Sequence, residues 1–246
     1  ETMNLKSLIH CIALGLLVAC SWVMTSCDSF NEDLPECRLF VKFKYDYNME
    51  KVDAFAQEVR AVTLYAFDDN GNMVYFKTDQ GEILADGNYA MKLDIEPGEY
   101  HLIAWAGLDN QSFAVPVLYP QTSQITELKV KTLREEFVPT RSEDEKDKYI
   151  VEKELSSLWH GEVKKSAFTR SGRERITEVS LVKNTNNIRI VVAQVNQHPD
   201  QPVTRVLKKE NLKYTIYDEN GYMNYDNSLL PDNMLTYKPF ATEQEF

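Results

Sequence analysis

The residue whose type and setting most directly imply chemistry is Cys27. It closes the run Met24-Thr25-Ser26-Cys27 after an apolar stretch, with Lys6 as a short basic start and Leu8 to Ala19 as the apolar middle. Small residues just before a cysteine at that place read as a secretory signal whose cleavage frees the cysteine for lipid attachment. The chain opens Glu1-Thr2-Met3, so Met3 reads as the start of the signal. Residues 1–26 are then a lipoprotein signal peptide, and the remainder is a body tethered to a membrane from outside the cytoplasm. Two alternatives stand beside this. Leu17-Val18-Ala19-Cys20 matches a general bacterial lipobox, but cleavage there would expose Trp22, Val23 and Met24 as an apolar tail, so Cys27 is preferred. A membrane-spanning anchor needs ~20 apolar residues, and Leu8 to Met24 falls short, with His10 and Ser21 inside it.

Elsewhere the residue types that do chemistry are not arranged to do it. There is no Gly-x-Ser-x-Gly, no His-Glu-x-x-His and no cysteine pair at metal spacing. His101 lies in mid-strand, where packing or a hydrogen bond is the ordinary role. Trp159-His160-Gly161-Glu162 sets one histidine beside one carboxylate, a pairing that fits a buried tryptophan at a strand start better than a catalytic group. Asp68-Asp69-Asn70-Gly71-Asn72 has the look of a calcium loop, but Met73, Val74 and Tyr75 follow where further ligands would be needed. It reads as a turn. No catalytic, cofactor-binding or metal residue is assigned, and the chain is not read as an enzyme.

Charge and cysteines narrow the class further. A net charge of −11 argues against nucleic acid, whose phosphates demand a basic face. Of the four cysteines, Cys11 and Cys20 leave with the signal and Cys27 carries the lipid. Cys37 is then alone, a small buried residue at a strand start, and no disulfide framework exists. An apolar core must hold the fold.

The elements follow from periodicity. Residues 27–36 are a polar, acidic tether. Leu39, Val41, Phe43, Tyr45 and Tyr47 alternate with Lys42, Lys44 and Asp46, the mark of a half-buried strand. Val52, Phe55 and Val59 are spaced for one short helix within Met49 to Val59. Ala61 to Phe67 and Met73 to Lys77 flank the turn Asp68-Asp69-Asn70-Gly71, where Asn70 and Gly71 tolerate positive φ. Glu96-Pro97-Gly98-Glu99 reads as a type II turn joining Tyr89–Ile95 to Tyr100–Ala106 in a hairpin. Both faces of Tyr100–Ala106 are apolar, which predicts a central strand. Ile125 to Thr132 alternates again. Ser142 to Lys148 is nearly all charge, so 134–157 reads as an exposed connection, with a helical turn at Tyr149 to Leu158. Strands resume at Leu158, and Glu178 to Val195 includes alternating Ile188, Ile190 and Val192.

A repeat organises these elements. Leu64 to Met73 recurs as Tyr214 to Met223, each copy carrying an acidic Asn-Gly turn. This reads as two domains of one architecture rather than one common hairpin found twice. The expected fold is all-β: two transthyretin-like β-sandwiches in tandem, 37–133 and 158–246, joined by 134–157. Only Asn224 to Phe246 follow the second copy, so the second sandwich is expected to be incomplete.

The chain resembles the FimB-type minor fimbrial subunits, lipoprotein relatives of the fimbrillins of anaerobic diderm bacteria. Cys27, Asp33-Leu34-x-x-Cys37 and Phe43-x-Tyr45-Asp46-Tyr47-Asn48-Met49 carry the likeness. It continues through Val62-x-Leu64-Tyr65-x-Phe67-Asp68-x-x-Gly71 and Pro97-Gly98-x-Tyr100-x-x-x-Ala104-Trp105-Ala106-Gly107. Leu158-Trp159-His160-Gly161 and Leu181 to Ile188 extend it. The resemblance implies a surface-exposed outer-membrane lipoprotein with an acylated cysteine, palmitate included, that anchors or caps a fimbria in cell adhesion. Its partners would be other fimbrial subunits, met through β-strand contacts, and the membrane, met through the N-terminal lipid. A surface lipoprotein that binds glycans is the alternative, with Trp159, Tyr222 and Tyr225 as its stacking candidates.

Overall fold

The computed structural model describes residues 39–138, 148–168, 175–193 and 208–243. All fall within the unit Arg38–Phe246. Cys20, Cys27 and Cys37, with the expected signal and tether, lie outside the described residues. Among the described residues no helix is long and apolar enough to cross a membrane.

Alternation decides the first strand. β1 (Leu39–Lys44) buries Leu39, Val41 and Phe43 and turns the residues between them outward. The helix expected within Met49 to Val59 shrinks to one turn, α1 (Phe55–Glu58), with Phe55 and Val59 buried. The side chains of Asn48 and Asp53 capture backbone groups ahead of it, and such local bonds compete with helix formation. β2 (Ala61–Phe67) and β3 (Met73–Gln80) pair antiparallel around the Asp68–Gly71 turn. Gly71 there takes φ +80°, which glycine adopts without a side-chain clash.

β4 (Met91–Leu93) and β5 (Gly98–Ala106) do not form the expected hairpin. β4 pairs with β1, while β5 pairs with β2. Pro97-Gly98 therefore carries the chain from one sheet to another, and Gly98 is not left-handed. Its missing Cβ makes room for the Tyr100 ring, whose hydroxyl donates to the Glu96 carbonyl at 2.7 Å. β6 (Phe113–Ala114) and β7 (Lys129–Thr132) follow, then β8 (Glu135–Glu136).

Tyr149 opens a strand rather than a helical turn: β9 (Tyr149–Val151) buries the β-branched Ile150 and Val151. β10 (Trp159–Phe168), β11 (Arg175–Ser180) and β12 (Val182–Lys183) fall where a second sandwich beginning at 158 is expected. Two of them hydrogen-bond to earlier strands: β10 pairs antiparallel with β5, and β11 lies parallel to β1. The apolar run at Ile188 to Val192 stays exposed and is not a strand, because no described neighbour pairs with it. β13 (Ile216–Asp218), β14 (Tyr222–Asn224) and β15 (Leu235–Tyr237) complete the order.

The sheets run β11-β1-β4, β12-β10-β5-β2-β3, β14-β7-β6 and β13-β15-β9-β8. The five-stranded sheet is a middle layer with a core on each face. Val62, Leu64, Leu102 and Ala104 face Leu39, Val41, Phe43, Met91 and Val179. Tyr65, Phe67, Ile103 and Trp105 face Phe113, Val130 and Met223. The apolar character of both β5 faces, read from sequence, has this cause. The protein is an all-β sandwich.

The two copies of the repeat close differently. The first is the β2–β3 hairpin. In the second, β13 pairs with β15 and β14 with β7, so its turn parts two sheets. Gly221 is not left-handed. Its bare Cα lies beside Leu235, Arg134 and Asp232, where a Cβ would fall within 2.8 Å of all three.

Candidate functional site

The histidines expected to be structural come together on the face of the middle sheet that meets the second core. His101 on β5 and Glu162 on the neighbouring β10 approach to 2.7 Å, Nε2 to Oε1. His160, buried on β10, lies with its ring 4.7 Å from Trp105. Its Nε2–H donates to the Tyr225 carbonyl at 2.8 Å, since a carbonyl only accepts. Neither histidine is hydrogen-bonded to a hydroxyl or thiol among the described residues. A histidine–carboxylate pair can move a proton, but what this arrangement does is hold strands together.

It holds them with a polar clasp. Asn184 and Asn227 exchange amide hydrogen bonds at 2.5 and 3.2 Å. Asn184 N–H donates to the Leu158 carbonyl, and Leu158 N–H donates to Thr185 Oγ1. With His160 and Tyr225, these bonds pin the β14 segment across the second core. Asn184 and His160 lie in motifs singled out from sequence, whereas Asn227 does not. Forty-three positions separate the two asparagines, and no local pattern reports such a pairing.

Burial pushes the His160 imidazole below its ordinary value of 6.5, against opposing pulls from the Tyr225 carbonyl, Glu162 and Asp226. The folded state disfavours the proton, so stability from neutral His160 is full above about pH 6.5 and is lost as pH falls toward the depressed folded value. Melting temperature measured from pH 8 to pH 5 should therefore fall more steeply for the native chain than for His160→Gln, which keeps a donor but does not titrate. Parallel curves would refute the assignment.

The remaining candidates are occupied in packing. Asp68 Oδ1 accepts from the Asn70 and Asn72 amides at 2.9 and 2.8 Å. The Asn72 side chain holds the Asp68 carboxyl below the usual carboxylate range. That is a turn, and no group of three metal-ligating side chains occurs among the described residues. Trp159 is buried under Lys183, 5.1 Å from its ring, with Tyr45 edge-on. Tyr222 is half-buried beneath Lys129 and Tyr225 stands edge-on to His101. The three aromatics proposed to stack sugars are thus engaged within the fold.

The surface offers strand edges. β3 has eight residues and pairs on one side only, with β2. Among the described residues its first residue alone is covered on the outer side, where Met73 N–H donates to the Ser123 carbonyl and the Met73 carbonyl accepts from Gln121 N–H. A second apolar feature is the loop after β1, which displays Tyr47, Met49 and Val52.

The profile of a family described as fimbrillin-A associated anchor proteins Mfa1 and Mfa2 matches residues 34–245. A crystal structure from Bacteroides thetaiotaomicron, whose description proposes polysaccharide binding, is 32% identical with a TM-score of 0.68; the alignment covers 86% of this chain and 68% of that one. Another from the same organism, proposed as an adhesin, is 34% identical over 85% of this chain and 64% of that one, with a TM-score of 0.66. The fimbrial anchor protein Mfa2 from Porphyromonas gingivalis shares the fold at 14% identity and a TM-score of 0.56, over 81% of this chain and 65% of that one. The chain spans about two thirds of the length of these structures. No curated protein matches it.

Proposed function

Because the chain belongs to the family of fimbrillin-A associated anchor proteins, we propose that it is a non-catalytic outer-membrane lipoprotein subunit that anchors or caps a fimbria. The observation that carries this reading is the extent of the family match, which begins just past Cys27 and runs through every described strand. In this account 1–26 is a cleaved signal, Cys27 bears the lipid and 27–36 is the tether. One acyl chain binds a membrane only marginally, at ~0.8 kcal/mol per buried methylene, so two or three chains on Cys27 make residence stable. Between Cys27 and the end of β1 the only arginine is Arg38. It stands just before β1, so a cut that removes the first strand after an arginine, as in fimbrillin relatives, is not provided for, which favours an anchor that keeps its lipid over a shaft subunit.

Contacts with other subunits follow from sheet edges. An open edge offers backbone N–H and C=O groups to an incoming strand, and pockets read its alternate side chains. Each such bond contributes about 0.5–1.5 kcal/mol net. The β3 edge, which no described residue pairs beyond Met73, supports this.

The test is Cys27→Ala in the producing bacterium. Expected are loss of the protein from the outer membrane and shedding of fimbriae into the medium. Unchanged retention of both would overturn the reading. Mass spectrometry of the N-terminal peptide decides between Cys27 and Cys20. A second reading, glycan binding at the surface, is favoured by the 32% identical relative described for polysaccharides. Binding of the purified body on a glycan array would support it.

A further inference from the structure

The loop between β1 and α1 is ordered by hydrogen bonds yet displays apolar side chains to solvent. Asn48 Nδ2 donates to the carbonyls of Tyr45 and Val52 at 3.0 and 2.7 Å, and its Oδ1 accepts from Glu50 N–H. Lys51 N–H donates to the Asn48 carbonyl. Asp53 Oδ1 accepts from both Tyr45 and Phe55 N–H groups. Lys51 takes φ +55°, the left-handed region that a side chain disfavours. Among the described residues, none packs over what this scaffold presents. Tyr47 is 78% exposed, Met49 101% and Val52 63%. Phe43 and Tyr45, from the same motif, are buried in the first core. The motif therefore divides into a packing half and a displayed half.

We propose that Tyr47, Met49 and Val52 form a preformed docking finger for an apolar socket on another protein subunit of the fimbria. The inference rests on the anchor reading for the identity of that subunit. Three observations select a protein socket. The side chains are of the right kind: tyrosine and methionine are enriched in interface cores, and methionine adapts to irregular hollows. The loop is held before binding, so little ordering entropy opposes docking. The charge around it is mixed, with Asp46, Glu50 and Asp53 against Lys44 and Lys51, and Lys44 is tied to Asp46 at 2.9 Å. An anionic bilayer surface would call for a basic cluster, which is lacking here. A sugar could stack on the Tyr47 ring alone, since Met49 and Val52 beside it add no flat face, whereas a protein socket engages all three.

The experiment uses the full-length lipidated chain in the producing bacterium, with Tyr47→Ser/Met49→Ser compared with the native protein and Cys27→Ala. Both residues are solvent-exposed, so surface abundance and the melting temperature of the purified body should not change. Binding of purified fimbriae to the immobilised body should fall about tenfold or more, the order seen when a central interface anchor is removed. Asn48→Ala, which frees the loop but keeps its apolar tips, should give a smaller loss. A photo-crosslinking phenylalanine analogue at position 47 should form an adduct with a fimbrial subunit, and one at the exposed Ile83 should not. Adducts with lipid or glycan alone, or full fimbrial binding by the double variant, would overturn the finger. If Cys27→Ala sheds fimbriae while the double variant retains them, the finger fails and the anchor reading stands. If neither sheds them, the anchor reading itself fails.

Discussion

Gly107→Ala is expected to destabilise the protein by about 3–5 kcal/mol, a large share of the ~5–15 kcal/mol that holds a typical domain. Two costs add. Gly107 sits at φ +86°, where a Cβ costs roughly 1–2 kcal/mol by itself. That Cβ would also lie 1.9 Å from the Ser157 carbonyl oxygen, a backbone atom with no rotamer to yield. Relief requires the end of β5 to part from the chain entering β10, where Ala106 pairs with Trp159 and Gly107 N–H donates to the Ala61 carbonyl. Both cores meet this seam. Urea denaturation followed by tryptophan fluorescence reads the effect, with Gly87→Ala as control. A Cβ on Gly87 would meet no heavy atom within 4 Å, and its φ is not left-handed, so its midpoint should hardly move. Equal midpoints for the two variants would refute the account.

Asp232→Ala should cost about 3–5 kcal/mol, because it leaves a buried guanidinium without its counter-charge. Arg134 and Asp232 meet at 2.5 Å with side chains only 7% and 7% exposed. Arg134 also donates to the Gly221 and Thr132 carbonyls, so the pair fastens the β14–β15 region to the strand end at Thr132. Burial pushes the Asp232 carboxyl upward, but the Arg134 hydrogen bond, the Asn233 backbone and the charges of Arg134 and Lys131 together hold it below the ordinary value of 3.8. Stability from this carboxylate is therefore present above that ordinary value and lost as pH falls through the depressed one. Calorimetry should show a fall in melting temperature of roughly 10 °C for Asp232→Ala at neutral pH. Arg134→Met/Asp232→Leu, which removes both charges and restores apolar volume, should recover much of it. A double variant no better than the single one would mean that the hydrogen bonds to Gly221 and Thr132, not the charge pair, hold this region.

Several elements were legible because their determinants are local. The alternation from Leu39, the β2 strand and the Asp68–Gly71 turn each rest on neighbours within a few residues. The double-sided apolar character of β5 announced a central strand, and the structure shows a layer on either face. His160 and Trp159 read as structural and lie in the second core and the first, although the ties of His160 to Tyr225 and of Asn184 to Asn227 were not visible. The helical turn expected at Tyr149 was outweighed by pairing with β15, a strand more than eighty positions later. The hairpin expected at Pro97-Gly98 failed for the same reason: β1 offered β4 a better partner than β5 did. Two Asn-Gly segments that share their Asp, Asn, Gly and Met ended in different geometry, because Gly221 serves the Arg134–Asp232 pair while Gly71 serves a turn.

The amino-acid order by itself determined which segments extend, which residues point inward and where the chain turns sharply, since side-chain period and backbone φ depend on nearest neighbours. It also pointed to the anchor family through motifs that cover the chain. Tertiary structure alone decided that β11 runs parallel to β1, that β10 pairs with β5, and that Tyr47 and Met49 face solvent while Phe43 and Tyr45 do not. Strand pairing joins residues more than a hundred positions apart, and its outcome is a competition among edges for the largest buried apolar face. No short window of sequence contains both competitors.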